Sequence, residues 1–301
     1  MANTSVHVLN VGAGSSTVIQ HPDRRVSMVD INDGTDQRSY ETVASDKPLI
    51  DPLEWCSARG MTDIFRFILS HPDADHMAGL RRLLVTLPEF DVQNFWDLPH
   101  HRTRKQSDFT IEESYQDWAV YRALREDIAI DGVSWPTRLS PFRGETGQFW
   151  TDNSIDVLSP TPALVSSADV ADTYNDASYV LKVRHGPTSS VLIASDVEEK
   201  AWNDMIAAGV NLRANVLVAS HHGRKSGYSA EAMARISPEI VLVSTAKLPP
   251  EHDAVPQYRQ HSDYVFSTRT AGSITIDMQD NGVLSLYDES GNELVTLSDR
   301  Q

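Results

Sequence analysis

The chain has 301 residues, 40% of them hydrophobic, with 26 Lys and Arg against 42 Asp and Glu for a formal net charge of −16. The hydrophobic share supports a sizeable core, yet no run approaches the roughly 18 apolar residues of a membrane span, so no membrane association is expected. So acidic a surface argues against non-specific nucleic-acid binding over its whole area, because that affinity comes mostly from phosphate neutralisation; it leaves room for a nuclease, whose bound cations invert the local field, and for a protein partner of the acidic face.

From the N-terminus, MANTSVHVLNVGAG has neither a basic segment nor a long apolar run, so no leader peptide is expected. VHVLNVG (6–12), STVIQH (16–21) and RVSMVDIN (25–32) predict three short strands forming an antiparallel meander, each bounded by Gly, Asp or Asn. Between the first two, Gly12-Ala13-Gly14-Ser15-Ser16 lacks the length and the Lys of a phosphate-binding loop and reads as a tight turn near the site. A helix is expected over 51–59. It carries Cys56, the only cysteine, read as a buried thiol; with no disulfide possible, a reducing compartment, the cytoplasm, is expected.

TDIFRFILS (62–70) predicts a buried strand ending at His71, and DHMAGLRRLLVTL (75–87) a helix with apolar residues at helical spacing. NFWDLP (94–99) follows as a strand or turn, and 111–127 as an amphipathic helix. The stretch 131–153 is irregular, but its aromatics Trp135, Phe142, Phe149 and Trp150 point to an ordered, packed loop. The second half repeats the rhythm: a strand SIDVLSP, paired strands SYVLKVRHG and SSVLIASD about a Gly-Pro turn, a helix over 197–209 stopped by Gly209, a buried strand ANVLVAS, a helix SAEAMARI, and strands IVLVST, YVFSTRT, SITIDMQ and VLSLYD. Two halves of strands plus helices predict one α/β sandwich over 1–301.

The informative stretch is His71-Pro72-Asp73-Ala74-Asp75-His76. Four candidate metal ligands fall within six residues at the carboxyl end of an apolar strand, where loops are open yet anchored. Imidazole with carboxylate suits zinc, manganese or iron. The short spacing and alternating directions suggest two neighbouring ions. Asp196 ends the strand VLIASD before a helix, as a cap or a ligand, and His221-His222-Gly223 ends ANVLVAS; taken together, three strands ending in Asp or His are hard to explain as caps.

The order HxDxDH, then a strand-end Asp, then a strand-end His, resembles the metallo-β-lactamase superfamily, whose usual signature is HxHxDH. With HPDADH, LNVGAGSS, VSMVDIN, NDASYVL and VASHHGRKS, the chain is similar to the C-terminal domain of ComEC-type DNA-uptake proteins over nearly its whole length. The resemblance implies a four-layer αββα sandwich and two divalent cations, zinc or manganese. His71 and Asp73 would hold the first, Asp75, His76 and His221 the second, and Asp196 would bridge them. Asn175 stands about where the family has a third-motif histidine, which makes the first site richer in oxygen and favours manganese. Asp30 would orient a metal-bound histidine. His222 is a group that supports the metal ligands from behind, a proton donor to a leaving group, or a histidine packed under its loop.

The reaction so implied is hydrolysis by metal-generated hydroxide, with Asp75 in the catalytic set, most readily of phosphodiesters such as single-stranded DNA. Arg224, Lys225 and His252 are the candidate substrate contacts. The basic run His100, His101, Arg102, Arg104 and Lys105 reads as a solvated loop or a substrate path, and Trp96 and Trp135 as core or base-stacking residues. Hydrolysis of another ester, amide or lactone, or a non-catalytic partner protein that keeps the fold, are the alternatives.

Overall fold

The computed structural model describes residues 3–34 and 45–298, except the side chain of Phe149. A nine-stranded sheet runs in the order Glu293–Leu297, Leu284–Tyr287, Ile274–Met278, Thr4–Val8, Thr17–Gln20, Val26–Val29, Asp63–Ile68, Asp91–Trp96, Thr137–Leu139. A six-stranded sheet runs Tyr264–Ser267, Ile240–Val243, Val216–Val218, Ser189–Ile193, Val180–His185, Ile155–Ser159. Each is antiparallel on one side and parallel on the other: Val26–Val29 through Thr137–Leu139 are parallel in the first, Ser189–Ile193 through Tyr264–Ser267 in the second.

The burial pattern gives the layers. One apolar cluster takes Val6, Val8, Ile19 and Ile68 from the large sheet and Leu181, Val191, Val218 and Leu242 from the small one, so the sheets pack face to face. A second lies between the outer face of the large sheet (Val18, Met28, Phe67, Phe95) and the helices Pro52–Ser57 and Glu112–Arg125. A third lies between the outer face of the small sheet (Val180, Leu192, Leu217, Val241) and the helices Glu199–Ala207 and Ala230–Ile236. The result is the αββα sandwich. Strands buried on both faces read as continuous apolar runs, which is why IVLV and VLV were legible as strands. No helix among the described residues is long and apolar enough to cross a membrane.

Several segments differ from expectation. The helix expected over 75–87 is broken: Ala74–Met77 is helical, Ala78 is extended, Gly79 has φ 111°, and Arg82–Thr86 forms a wide helical turn. The competing bonds are tertiary. Buried Asp117 accepts from Gly79 N at 3.0 Å and Arg81 N at 2.7 Å, while Met77 and Ala78 bridge to Ile31 and Asn32. A helix over Pro162–Ala171 was not anticipated, although Thr161, whose Oγ1 accepts from Leu164 N, and Pro162 form a regular N-terminal start. The stretch expected to be irregular holds the edge strand Thr137–Leu139 and the short helix Gln148–Asp152; within it Phe142 and Trp150 pack on the inter-sheet core and Trp135 on the outer one, whereas Phe149 lies outside the described side chains. Cys56 is buried, and burial pushes its thiol up to about 12.

Candidate metal centre

The carboxyl ends of the parallel strands meet at one edge. Asp30 follows Val26–Val29, Ser70 and His71 follow Asp63–Ile68, Asp196 follows Ser189–Ile193, His221 and His222 follow Val216–Val218, and Ser244 follows Ile240–Val243. At these corners four residues have positive φ without being glycine: Asp30 (60°), Ser195 just before Asp196 (45°), His221 (48°) and His222 (54°). That conformation costs about 1–3 kcal/mol per residue and persists only where the surroundings fix it. Gly223 helps: a Cβ there would stand 2.4 Å from Val243 Cγ1, so the turn packs directly on the neighbouring strand.

Asp75, His76, Asp196 and His222 converge, with one donor atom from each lying within 4.8 Å of all the others. His76 Nε2 is 3.3 Å from Asp196 Oδ1 and 3.8 Å from Asp75 Oδ2; His222 Nε2 is 3.4 Å from Asp75 Oδ2 and 3.5 Å from Asp196 Oδ2. These separations exceed normal hydrogen bonds. They match neighbouring donors around one cation, since bonds of about 2.0–2.2 Å in a tetrahedron set donors about 3.3–3.6 Å apart.

The backs of the rings supply an independent test. Ser70 Oγ donates to Asp30 Oδ2 at 2.8 Å, leaving its lone pairs to accept from His71 Nδ1 at 3.1 Å. His76 Nδ1 donates to Asp30 Oδ2 at 2.7 Å, and His222 Nδ1 to the Ser244 carbonyl at 3.2 Å. Each neutral ring then carries its proton on Nδ1 and a bare lone pair on Nε2. The Nε2 atoms of His71, His76 and His222 are buried without a hydrogen-bond partner. Buried polar atoms are rarely left so, and an imidazole with its far nitrogen held by a carboxylate or carbonyl is the usual arrangement of a metal-binding histidine. The residues present fit a divalent cation.

Electrostatics agree. Burial raises the Asp196 carboxyl, but facing His222 and His76 hold it well below the ordinary range. Burial lowers His222, but Asp196 and Asp75 push it up to about 9. A cavity of about 120 Å³ opens beside the group, lined by Ala13, Asp75, His221, His222, Arg224 and Thr245 among others. The Gly12–Ser16 turn abuts it: Ser15 N donates to Asp75 O, and a Cβ on Gly14 would stand 2.7 Å from that carbonyl.

The other expected residues are placed differently. His221 stands at the rim: its Nδ1 is 2.9 Å from Glu198 Oε1 and 2.8 Å from Ser226 Oγ, and its Nε2 is 3.8 Å from Asp196 Oδ2. His222, rather than His221, completes the group of four. Asp73 Oδ2 is 3.4 Å from His71 Nε2, and its other oxygen takes a hydrogen bond from Arg102 Nη1. Asn175 points its amide at Glu198 Oε1, 3.4 Å away. Of the candidate substrate contacts, Arg224 lines the cavity, whereas exposed Lys225 and His252 are joined backbone to backbone at 2.7 Å. Trp96 is fully buried, and Trp135 donates to Ile128 O. Sequence reasoning passed over Ser70, Ser244 and Glu198. Only the positions of Ser70, directly before the motif, and Glu198, two residues after Asp196, hinted at roles.

No family model matches the chain. Among curated proteins it is similar to ComE operon protein 3 of Bacillus subtilis, 25% identical over 299 residues, 94% of this chain and 34% of that protein. It is also similar to Recombination protein 2 of Haemophilus influenzae, 22% identical over 216 residues, 70% of this chain and 22% of that protein. The likeness is to ComEC-type proteins. The chain spans about a third of the length of the first protein and about a fifth of the second. Among solved structures, a diphosphatase from the PhnP family overlays on 89% of this chain and 96% of its own, with a TM-score of 0.46 and 11% identity.

Proposed function

We propose that the chain is a metal-dependent hydrolase acting on phosphodiesters, nucleic acid among them, with zinc or manganese at the group formed by Asp75, His76, Asp196 and His222. The observation that carries the reading is the set of backed Nε2 atoms, buried without a hydrogen-bond partner and facing carboxylates at ligand spacing. A divalent cation bound there would lower the pKa of water and offset the charge that builds on a phosphate during displacement.

The chain's own groups have separate tasks in this reading. Asp30 and Ser70 hold His76 and His71 in one tautomer and orientation. Ser244 does the same for His222, which therefore serves as a ligand rather than as a proton donor. His221 takes that second role: Glu198 backs its Nδ1, and it borders the cavity, an arrangement suited to passing a proton. Arg224, on the same cavity wall, suits a phosphate oxygen. Asp75, whose side chain is 41% exposed, sits where a substrate would reach the cation. Absence of any disulfide and the buried thiol fit work in the cytoplasm.

The test is hydrolysis of bis(p-nitrophenyl) phosphate and of single- and double-stranded DNA and RNA with manganese or zinc. Cation-dependent cleavage is expected. Turnover of lactones or nitrocefin without diesterase activity would reassign the substrate class, and a metal-free, inert chain would leave a binding protein on the same fold.

A further inference from the structure

The resemblance drawn from the sequence implies two cations. Resting on the reading that the Asp75 group binds metal, we propose that this chain holds one, and that the guanidinium of Arg102 takes the place of the other beside Asp73.

The donor set comes first. Among the described residues one group of three or more His, Cys, Asp or Glu is arranged to hold an ion, and it excludes His71 and Asp73. On their side of the site, His71 Nε2 and Asp73 Oδ2 face each other, the other Asp73 oxygen is engaged by Arg102, and the Asn175 amide is turned to Glu198. Two side-chain donors, one of them shared with a guanidinium, make a poor cage for a second ion.

Arg102 is fixed where it is. Its side chain is 10% exposed, Nη1 also donates to Pro72 O at 2.9 Å, Nε is 3.4 Å from Asp172 Oδ1, and the guanidinium carbon lies 5.0 Å over the Tyr174 ring. Carboxylate, carbonyl and aromatic face together hold a planar cation in one pose. Asp where the superfamily's usual signature has His favours this, because a carboxylate pairs with a guanidinium more strongly than a neutral imidazole does.

Charge makes the same point. The Arg102 guanidinium already sets a fixed positive charge against Asp73. A second dication would sit against a fixed positive charge in a largely buried site, where repulsion is poorly screened.

The experiment is metal counting by mass spectrometry on the full chain, loaded with excess manganese or zinc and gel-filtered, with circular dichroism to match folds. One ion per chain is expected; two would overturn the proposal while leaving the hydrolase reading intact, and none would overturn both. Asp73→Asn is expected to keep one ion and Asp196→Asn to lose it; a lower count for Asp73→Asn overturns the proposal. With the guanidinium removed, Arg102→Met at millimolar manganese is expected to take up a second, weaker ion, and Asp73→Asn in that background to lose it. A single ion in Arg102→Met would refute the substitution of guanidinium for metal.

Discussion

Asp30 grips His76 from behind: carboxylate and imidazole are both sealed from solvent, with Oδ2 2.7 Å from Nδ1, and the same carboxylate accepts the Ser70 N–H and hydroxyl. Both carboxylate oxygens of Asp30 are thereby engaged, Oδ2 on His76 and the Ser70 hydroxyl, Oδ1 on the Ser70 N–H. Asp30→Asn keeps the shape but replaces an acceptor with an amide. It is expected to weaken metal binding about 10–100-fold, the usual cost of losing such a partner. Chelator competition reads this directly; unchanged affinity would mean that His76 does not depend on Asp30.

Asp196 touches both inward-facing histidines, so its loss should be graver. Asp196→Ala and Asp75→Ala are each expected to lower metal affinity and diesterase activity by more than about 100-fold, beyond the effect of an outer partner. A variant retaining both properties would show that the group of four is a buried ion-pair network and no metal centre.

The pH dependence should have opposite signs with and without metal. His222 is pushed up to about 9 and His76 is raised well above its ordinary 6.5, in each case by carboxylates that override burial. Both are therefore protonated at neutral pH in the metal-free chain. Stability from their raised pKa values is fully present below about pH 6.5, the unfolded value, and is lost as pH climbs toward 9. Metal must displace these protons, so its affinity should rise over the same window, by about tenfold per pH unit for each proton released. Thermal melts at pH 6.5 and 9, with chelator and with manganese, check both halves. A metal-free melting temperature that rises with pH would contradict the assignment.

Gly14 lies where a side chain has no room: its Cβ would stand 2.3 Å from Asn32 Nδ2 and 2.7 Å from Asp75 O. Gly14→Ala is expected to cost about 1–3 kcal/mol, the range for overpacking. Because the backbone of a ligand must yield, metal affinity should drop as well. Urea unfolding and metal titration measure the two effects, and a neutral result on both would show that the turn adapts freely.

Much of the architecture was legible locally. Uninterrupted apolar runs closed by Asp, Ser or His gave the parallel strands and their carboxyl ends, and the order HPDADH, Asp196, His221-His222 gave the edge at which they meet. The break after Met77 was not legible, because it depends on Asp117, 38 residues from Gly79. Nor was the role of Arg102, which in its own segment reads as one more solvated cation.

Sequence alone determined which residue types arrive at the site, since hydrophobic patterning and strand ends are short-range properties. Tertiary structure decided which atoms face inward. His221 and His222 are chemically identical neighbours, and only the left-handed backbone of their turn, pressed on Val243 through Gly223, sends one ring to the Ser244 carbonyl and the carboxylates and the other to Glu198. Side-chain direction at an irregular corner follows from φ and ψ that distant packing imposes, and no periodicity in the chain encodes them.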